Sequence, residues 1–330
     1  MLLSVSALIA LLAAPVRPTP ADPALASLRN EITRIADDAD GTVGVSIVHL
    51  PTGKSVSLRG TEPFPMASVF KLPVAVAVLR RVDAGKLKLD EALPVVKGDL
   101  RPRGPLFERF KPGMSVPVAE LLDDMLVASD GSAADLLIRR LGGTKVVADE
   151  LSGLGLKGID VSLTELEIAL LGAGVKEKPK DFRMTPEQLK KATEKPSEKT
   201  RRHAQKAFET GKWNGATPEG LTTLLVRLDK GDLLSRASTD RILAAMRRCA
   251  TGDRRIRAGV PKGTEVFDKT GTMGRTANDV GLVRLPGGGT LAVSVLIRSS
   301  FVGEKEREDV IARIAAAAFS AFSRGGAPTR

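Results

Sequence analysis

Tyrosine is absent from this 330-residue chain, histidine occurs twice, cysteine once, and aromatic residues make up only 3% of it. Each scarcity excludes something. A lone Cys249 permits no intrachain disulfide and no cysteine-rich metal site, and it reads as a small apolar helix residue. A Ser-His-Asp triad would have to use His49 or His203, and neither lies near a Gly-x-Ser-x-Gly elbow. The same shortage excludes a zinc site built from several His and Cys ligands, so neither metal nor cofactor is expected. Sparse aromatics leave no stacking platform for single-stranded nucleic acid.

Positive charge, in contrast, is plentiful, with a formal net charge of +11. Much of it is local, because residues 175–212 hold twelve Lys or Arg against six Asp or Glu. Such a stretch reads as a solvated, charge-laced surface. Nucleic acid is not expected as a partner, and an anionic cell-envelope surface is the counterpart this segment would suit.

The longest uncharged apolar run, Leu2 to Ala14, is too short to span a bilayer comfortably. Followed by Pro15, Pro18 and Pro20, it reads as the core of a secretory signal over residues 1–21, although no Lys or Arg precedes it. Cleavage after Thr19-Pro20-Ala21 would start the mature chain at Asp22, and no cysteine follows to carry a lipid anchor. A periplasmic or secreted protein is expected.

The remaining length suits one two-lobed domain. Leu25, Leu28, Ile32 and Ile35 predict a helix over 23–38. Val43 to Leu50, the turn Pro51-Thr52-Gly53, and Lys54 to Arg59 predict a hairpin. A second hairpin is predicted from Asp279 to Leu285 and Thr290 to Arg298, and an alanine-rich helix from Glu304 to Ser323. Residues 68–250 look almost wholly helical. The expected fold is α+β: one antiparallel sheet built from both chain ends (22–67 and 255–330) and flanked by helices, with a helical lobe (68–254) inserted between. Thr217-Pro218-Glu219 marks a helix start, and Gly252 reads as the glycine closing a helix that ends near Cys249. Residues 172–213, broken by Gly172, Gly174, Pro179, Pro186 and Pro196, read as an exposed basic insertion that buries little.

Three short motifs carry the chemistry. Ser68-Val69-Phe70-Lys71 opens an apolar helix, which puts Lys71 one turn from Ser68 on the same face and favours negative charge on the serine oxygen. Pro73 is tolerable only in an opening turn. Ser129-Asp130-Gly131 leads into a helix from Ser132 to Leu141. Lys269-Thr270-Gly271, ahead of the closing hairpin, offers a cation, a hydroxyl and a slim glycine along which a flat substrate can slide.

In this order the motifs resemble the serine β-lactamase and penicillin-binding superfamily, class A β-lactamases in particular. Ser129 lies 61 residues after Ser68, the spacing the family requires, and Thr164-Glu165-Leu166-Glu167 matches its Glu-x-Glu element with Glu165 36 residues past Ser129. Glu167 stands as the alternative to Glu165. The missing tyrosines exclude superfamily branches whose second motif uses a tyrosine base. The resemblance implies that Ser68 attacks a lactam carbonyl, with Lys71, or Glu165 through a water, removing its proton. Backbone N–H groups of Ser68 and Thr272 would hold the oxyanion, Ser129 would relay a proton to the leaving nitrogen, and Lys269 and Thr270 would bind the substrate carboxylate. Glu165 would then activate water against the acyl-enzyme.

This chain also departs from the family's pattern. Gly131 and Ala169 stand where the family usually has Asn, so a substrate-orienting amide and a ligand of the hydrolytic water are missing. The Arg–Asp pair that pins the glutamate loop is not evident, because Leu163 and Asn214 occupy the nearest positions. A D,D-peptidase-like or esterase-like relative acting on peptidoglycan-like small molecules, and a non-catalytic envelope-binding relative, therefore remain open beside the β-lactamase. A monomer is expected.

Overall fold

The computed structural model describes residues 22–176 and 182–324. The predicted signal and its cleavage site lie outside the described residues. Among those described, no helix is long and apolar enough to cross a membrane.

Helix α1 (Pro23–Asp37), capped by the Asp22 side chain, precedes strands β1 (Thr42–His49) and β2 (Ser55–Leu58). The short strand β3 (Phe64–Pro65) leads into a 3-10 turn, Ala67–Phe70, and then into α2 (Lys71–Asp83). Leu72 to Leu79 are all buried, so α2 is the central post of the helical lobe. Pro73 sits in its first turn, where no intrahelical N–H is needed.

The lobe is not wholly helical. Strand β4 (Ala92–Pro94) and helix α3 (Pro105–Arg109) precede β5 (Ser115–Pro117), which pairs back onto β4. Helices α4 (Val118–Val127), α5 (Gly131–Leu141) and α6 (Thr144–Gly153) then pack around α2. The Asp130 side chain caps α5 by accepting the Ala133 N–H, and Gly142 closes it in the left-handed region.

Helix α7 (Glu165–Gly172) starts at a capping box: the Glu167 carboxylate accepts the Thr164 N–H, and the Thr164 hydroxyl accepts the Glu167 N–H. The basic segment forms α8 (Pro186–Glu194) and α9 (Glu198–Phe208). It is less solvated than expected. Leu189 packs with Leu166 and Leu170 of α7, and Phe208 is buried as well.

Strand β6 (Gly215–Ala216) pairs with β3, then α10 (Pro218–Lys230) and α11 (Arg236–Arg247) complete the lobe. Thr217 caps α10 as its sequence suggests. Gly252 does not close α11; five residues on, a Cβ there would come within 2.3 Å of Thr270 Cγ2, so this glycine serves a close approach to the next strand.

Strands β7 (Val266–Met273), β8 (Thr276–Arg284) and β9 (Thr290–Arg298) precede the closing helix α12 (Glu304–Arg324). The five-stranded antiparallel sheet has the order β2-β1-β9-β8-β7. Both faces are covered. Val293, Val295 and Ile297 join a core with α1 and α12, whereas Ala292 and Leu296 join the larger core with the helical lobe. The two-residue period of β7 fixes the site: Val266 lies in the first core and Phe267 in the second, so Lys269 and Gly271 face the helical lobe.

Candidate active site

The nucleophile turn is held against the sheet by Asn278 of β8. Its amide donates to Pro65 O at 2.8 Å and Met66 O at 2.9 Å, while its oxygen accepts the Ile297 N–H at 3.1 Å. Ala67, beside Ser68, adopts a φ of +46°, a conformation held by this clamp. Gly271 allows the contact: a Cβ there would lie 2.4 Å from Met66 O and 3.0 Å from Ser68 N.

Lys71 is the hub. Its buried Nζ lies 3.0 Å from Ser68 Oγ, 2.7 Å from Ser129 O, 3.3 Å from Ser129 Oγ and 2.5 Å from Glu165 Oε1. Ser129 reaches this position through a φ of +59°. On its other side, Lys269 Nζ donates to Ser129 Oγ at 3.0 Å and to Thr270 O at 2.9 Å. One hydroxyl thus sits between two ammonium groups. Burial, with the Lys71 charge added, pulls Lys269 down to about 8.

Every predicted catalytic side chain, Ser68, Lys71, Ser129 and Glu165, is therefore drawn together with Lys269. Thr272 lines the same cavity as Ser68 and Glu165. Thr270 Oγ1 lies 2.5 Å from Thr251 Oγ1. Gly131 packs against Glu165, where a Cβ would be 3.2 Å from Glu165 Cγ. Glu167 is buried in the capping box, its carboxylate engaged at Thr164. His49 stacks on Phe322, and His203 is exposed on α9, so the histidines stay out of the chemistry.

Four residues missed from sequence build the support. Arg255, buried, donates to Thr272 Oγ1 (2.6 Å), Asn278 O (2.9 Å) and Gly271 O (3.3 Å), and pairs with Glu308 at 3.2 Å. It brings a third cation to the end of β7. In the sequence it stands in Arg254-Arg255-Ile256-Arg257, which reads as solvated basic surface. Asp135 accepts the N–H groups of Glu165 and Leu166 and pairs with buried Arg101 at 2.8 Å. Burial pushes its carboxyl up while the Arg101 charge opposes the rise. Asn214 supplies the missing pin: its oxygen accepts from Ser162 N and Leu163 N, both at 2.8 Å, and its amide donates to Leu163 O at 2.9 Å.

An activated serine beside a lysine–carboxylate pair, with a second serine and lysine opposite, is equipped to form and break an acyl ester. The Beta-lactamase enzyme family model matches residues 27–322. The chain belongs to that family. Among this family member's relatives, β-lactamase VEB-1 of Pseudomonas aeruginosa is 28% identical, covering 88% of each chain. A carbapenem-hydrolyzing β-lactamase KPC of Klebsiella oxytoca is 29% identical over 89% of this chain and 88% of the relative. The crystal structure of a β-lactamase from Chitinophaga pinensis superposes with a TM-score of 0.76 at 32% identity, covering 90% of this chain and 99% of that one. An ancestral class A β-lactamase structure gives 0.74 at 31% identity, covering 89% and 100%.

Proposed function

We propose that this β-lactamase-family chain is a serine β-lactamase that hydrolyses the lactam ring through an acyl ester on Ser68. The observation that carries the reading is Lys71 Nζ standing between Ser68 Oγ at 3.0 Å and Glu165 Oε1 at 2.5 Å.

Ser68 Oγ attacks the lactam carbonyl and passes its proton to the Lys71–Glu165 pair. The carbonyl oxygen, now negative, lies at the Ser68 and Thr272 backbone N–H groups. The C–N bond breaks as Ser129 Oγ, bridged to both lysines, gives its proton to the leaving nitrogen and is reprotonated from Lys71. Lys269, Thr270 and Arg255 favour an anionic substrate at the end of β7. For deacylation, Glu165 takes a proton from water, which attacks the ester and returns Ser68 to its hydroxyl form. A carboxylate so placed favours turnover over the arrested acyl-enzyme of a peptidase-like relative.

Hydrolysis of a chromogenic cephalosporin tests the reading, with Ser68→Ala expected to abolish it. A wild type that neither hydrolyses nor acquires an acyl adduct contradicts it. Export is part of the proposal, supported by the apolar run Leu2 to Ala14. N-terminal sequencing from the native host should find a start near Asp22, and an intact Met1 in the cytosol would refute it.

A further inference from the structure

A cavity of about 330 Å³ opens from Ser68 and Glu165 away from the lysines. Its near wall is α7, through Ile168, Ala169 and Gly172, and its far wall is the insertion, through Gln205, Phe208 and Glu209 at the end of α9. The floor is the β7–β8 turn from Met273 to Thr276. Apolar side chains and bare glycine backbone dominate the lining, which suits a flat aryl group better than a charged one.

At the end of α9 the far wall is fastened through Glu209. Glu209 holds Arg275 of the turn in a two-pronged pair, Nε to Oε1 at 2.8 Å and Nη2 to Oε2 at 2.6 Å. Ser299 donates to the same carboxylate at 2.7 Å, and Arg298 donates to the Glu209 carbonyl at 3.3 Å. These partners hold the Glu209 carboxyl below its usual range against the opposing pull of burial. Arg275 also lies over the Phe301 ring, 4.4 Å from its centroid. Ahead of α8 the insertion is moored a second time, where Arg183 donates to Asp99 at 2.9 Å and Met184 N to Gly98 O at 3.0 Å. The span between these moorings holds Phe208 over the cavity.

We infer that Glu209, through its pair with Arg275, is a specificity-determining latch. It holds the insertion closed over the space beside the acyl centre and selects lactams that carry a bulky aryl acylamino substituent. This rests on the β-lactamase reading and extends it to substrate class. Glu209 acts through the position of Phe208 and the turn, so its loss is felt in binding before chemistry.

The test compares kcat and KM for two cephalosporins, one with an aryl acylamino substituent and one with a free 7-amino group. Wild type, Glu209→Ala, Arg275→Ala and the double variant are measured, each with its thermal midpoint. The ratio of kcat/KM, aryl over amino, should fall at least tenfold in each single variant, through KM. The double variant should fall no further, since both changes open one latch. Glu209→Gln, which keeps part of the hydrogen bonding, should lie between. Should Glu209→Ala not fold, Arg275→Ala carries the same comparison. A ratio within twofold of wild type, whatever the thermal midpoint, overturns the latch. Absence of turnover by wild type with both substrates contradicts the lactamase reading instead, and the latch falls with it.

Discussion

Asp135 Oδ1 accepts the backbone N–H of Glu165 at 2.7 Å, from beneath the first turn of α7. Its second oxygen serves Leu166 N and Arg101, so one buried carboxylate ties the glutamate helix to α5 and neutralises a buried guanidinium. Asp135→Leu should cost about 3–5 kcal/mol, because Arg101 is left uncompensated. Asp135→Asn should cost less. In the folded fraction of either variant, deacylation should slow more than acylation. Urea unfolding and pre-steady-state bursts read the two effects separately; equal slowing of both steps contradicts the assignment.

Gly131 and Ala169 depart from the family pattern with different consequences. A side chain at Gly131 would crowd Glu165 Cγ at 3.2 Å and Cδ at 3.4 Å, so Gly131→Asn should displace the carboxylate and slow deacylation about 10²-fold. Ala169 lines the cavity beside Glu165, where an amide has room to hold water. Ala169→Asn should raise the deacylation rate, by up to roughly 10²-fold if the wild-type water is poorly held. Stopped-flow single turnovers decide both, and faster deacylation by Gly131→Asn would refute the crowding argument.

Lys269 imposes a basic limb. Its pKa is lowered from 10.5 to about 8, so its charge is present below that pH and lost above it. The kcat/KM for a lactam carrying a free carboxylate should fall as pH rises through about 8. The corresponding methyl ester should show a flatter profile. Matching profiles for acid and ester would show that Lys269 does not read the carboxylate.

Local signals carried far in this sequence. The hairpins and the capped start of α10 follow from two-residue alternation, turn residues and helix-cap chemistry, while the three motifs were legible through their resemblance to a known family. What escaped was long-range. Arg255, Asp135, Arg101 and Asn214 act only after elements distant in sequence pack together, and as residue types they look like ordinary surface charge or a turn. Ala67, Ser129 and Asn214 take positive φ without being glycine, so no sequence signal marks the strained turns at the site. The pairing of β4 with β5 was hidden by the shortness of both strands.

The insertion also corrects expectation. Leu189 and Phe208 are buried, so the segment has a small core with α7 despite its charge. Phe208→Ala should cost about 3 kcal/mol and weaken binding of aryl-substituted lactams. Chemical denaturation beside KM measurements checks this, and an unchanged stability would return the segment to a solvated appendage.

The central claim is that Ser68 carries the acyl group and Glu165, not Glu167, removes it. Intact-mass time courses after mixing with a cephalosporin test it most directly. Wild type should show an adduct on Ser68 that decays, Glu165→Gln an adduct that persists, and Glu167→Gln an adduct that decays with only the modest loss of a weakened helix cap. Decay in Glu165→Gln at the wild-type rate, or persistence in Glu167→Gln alone, would contradict the account.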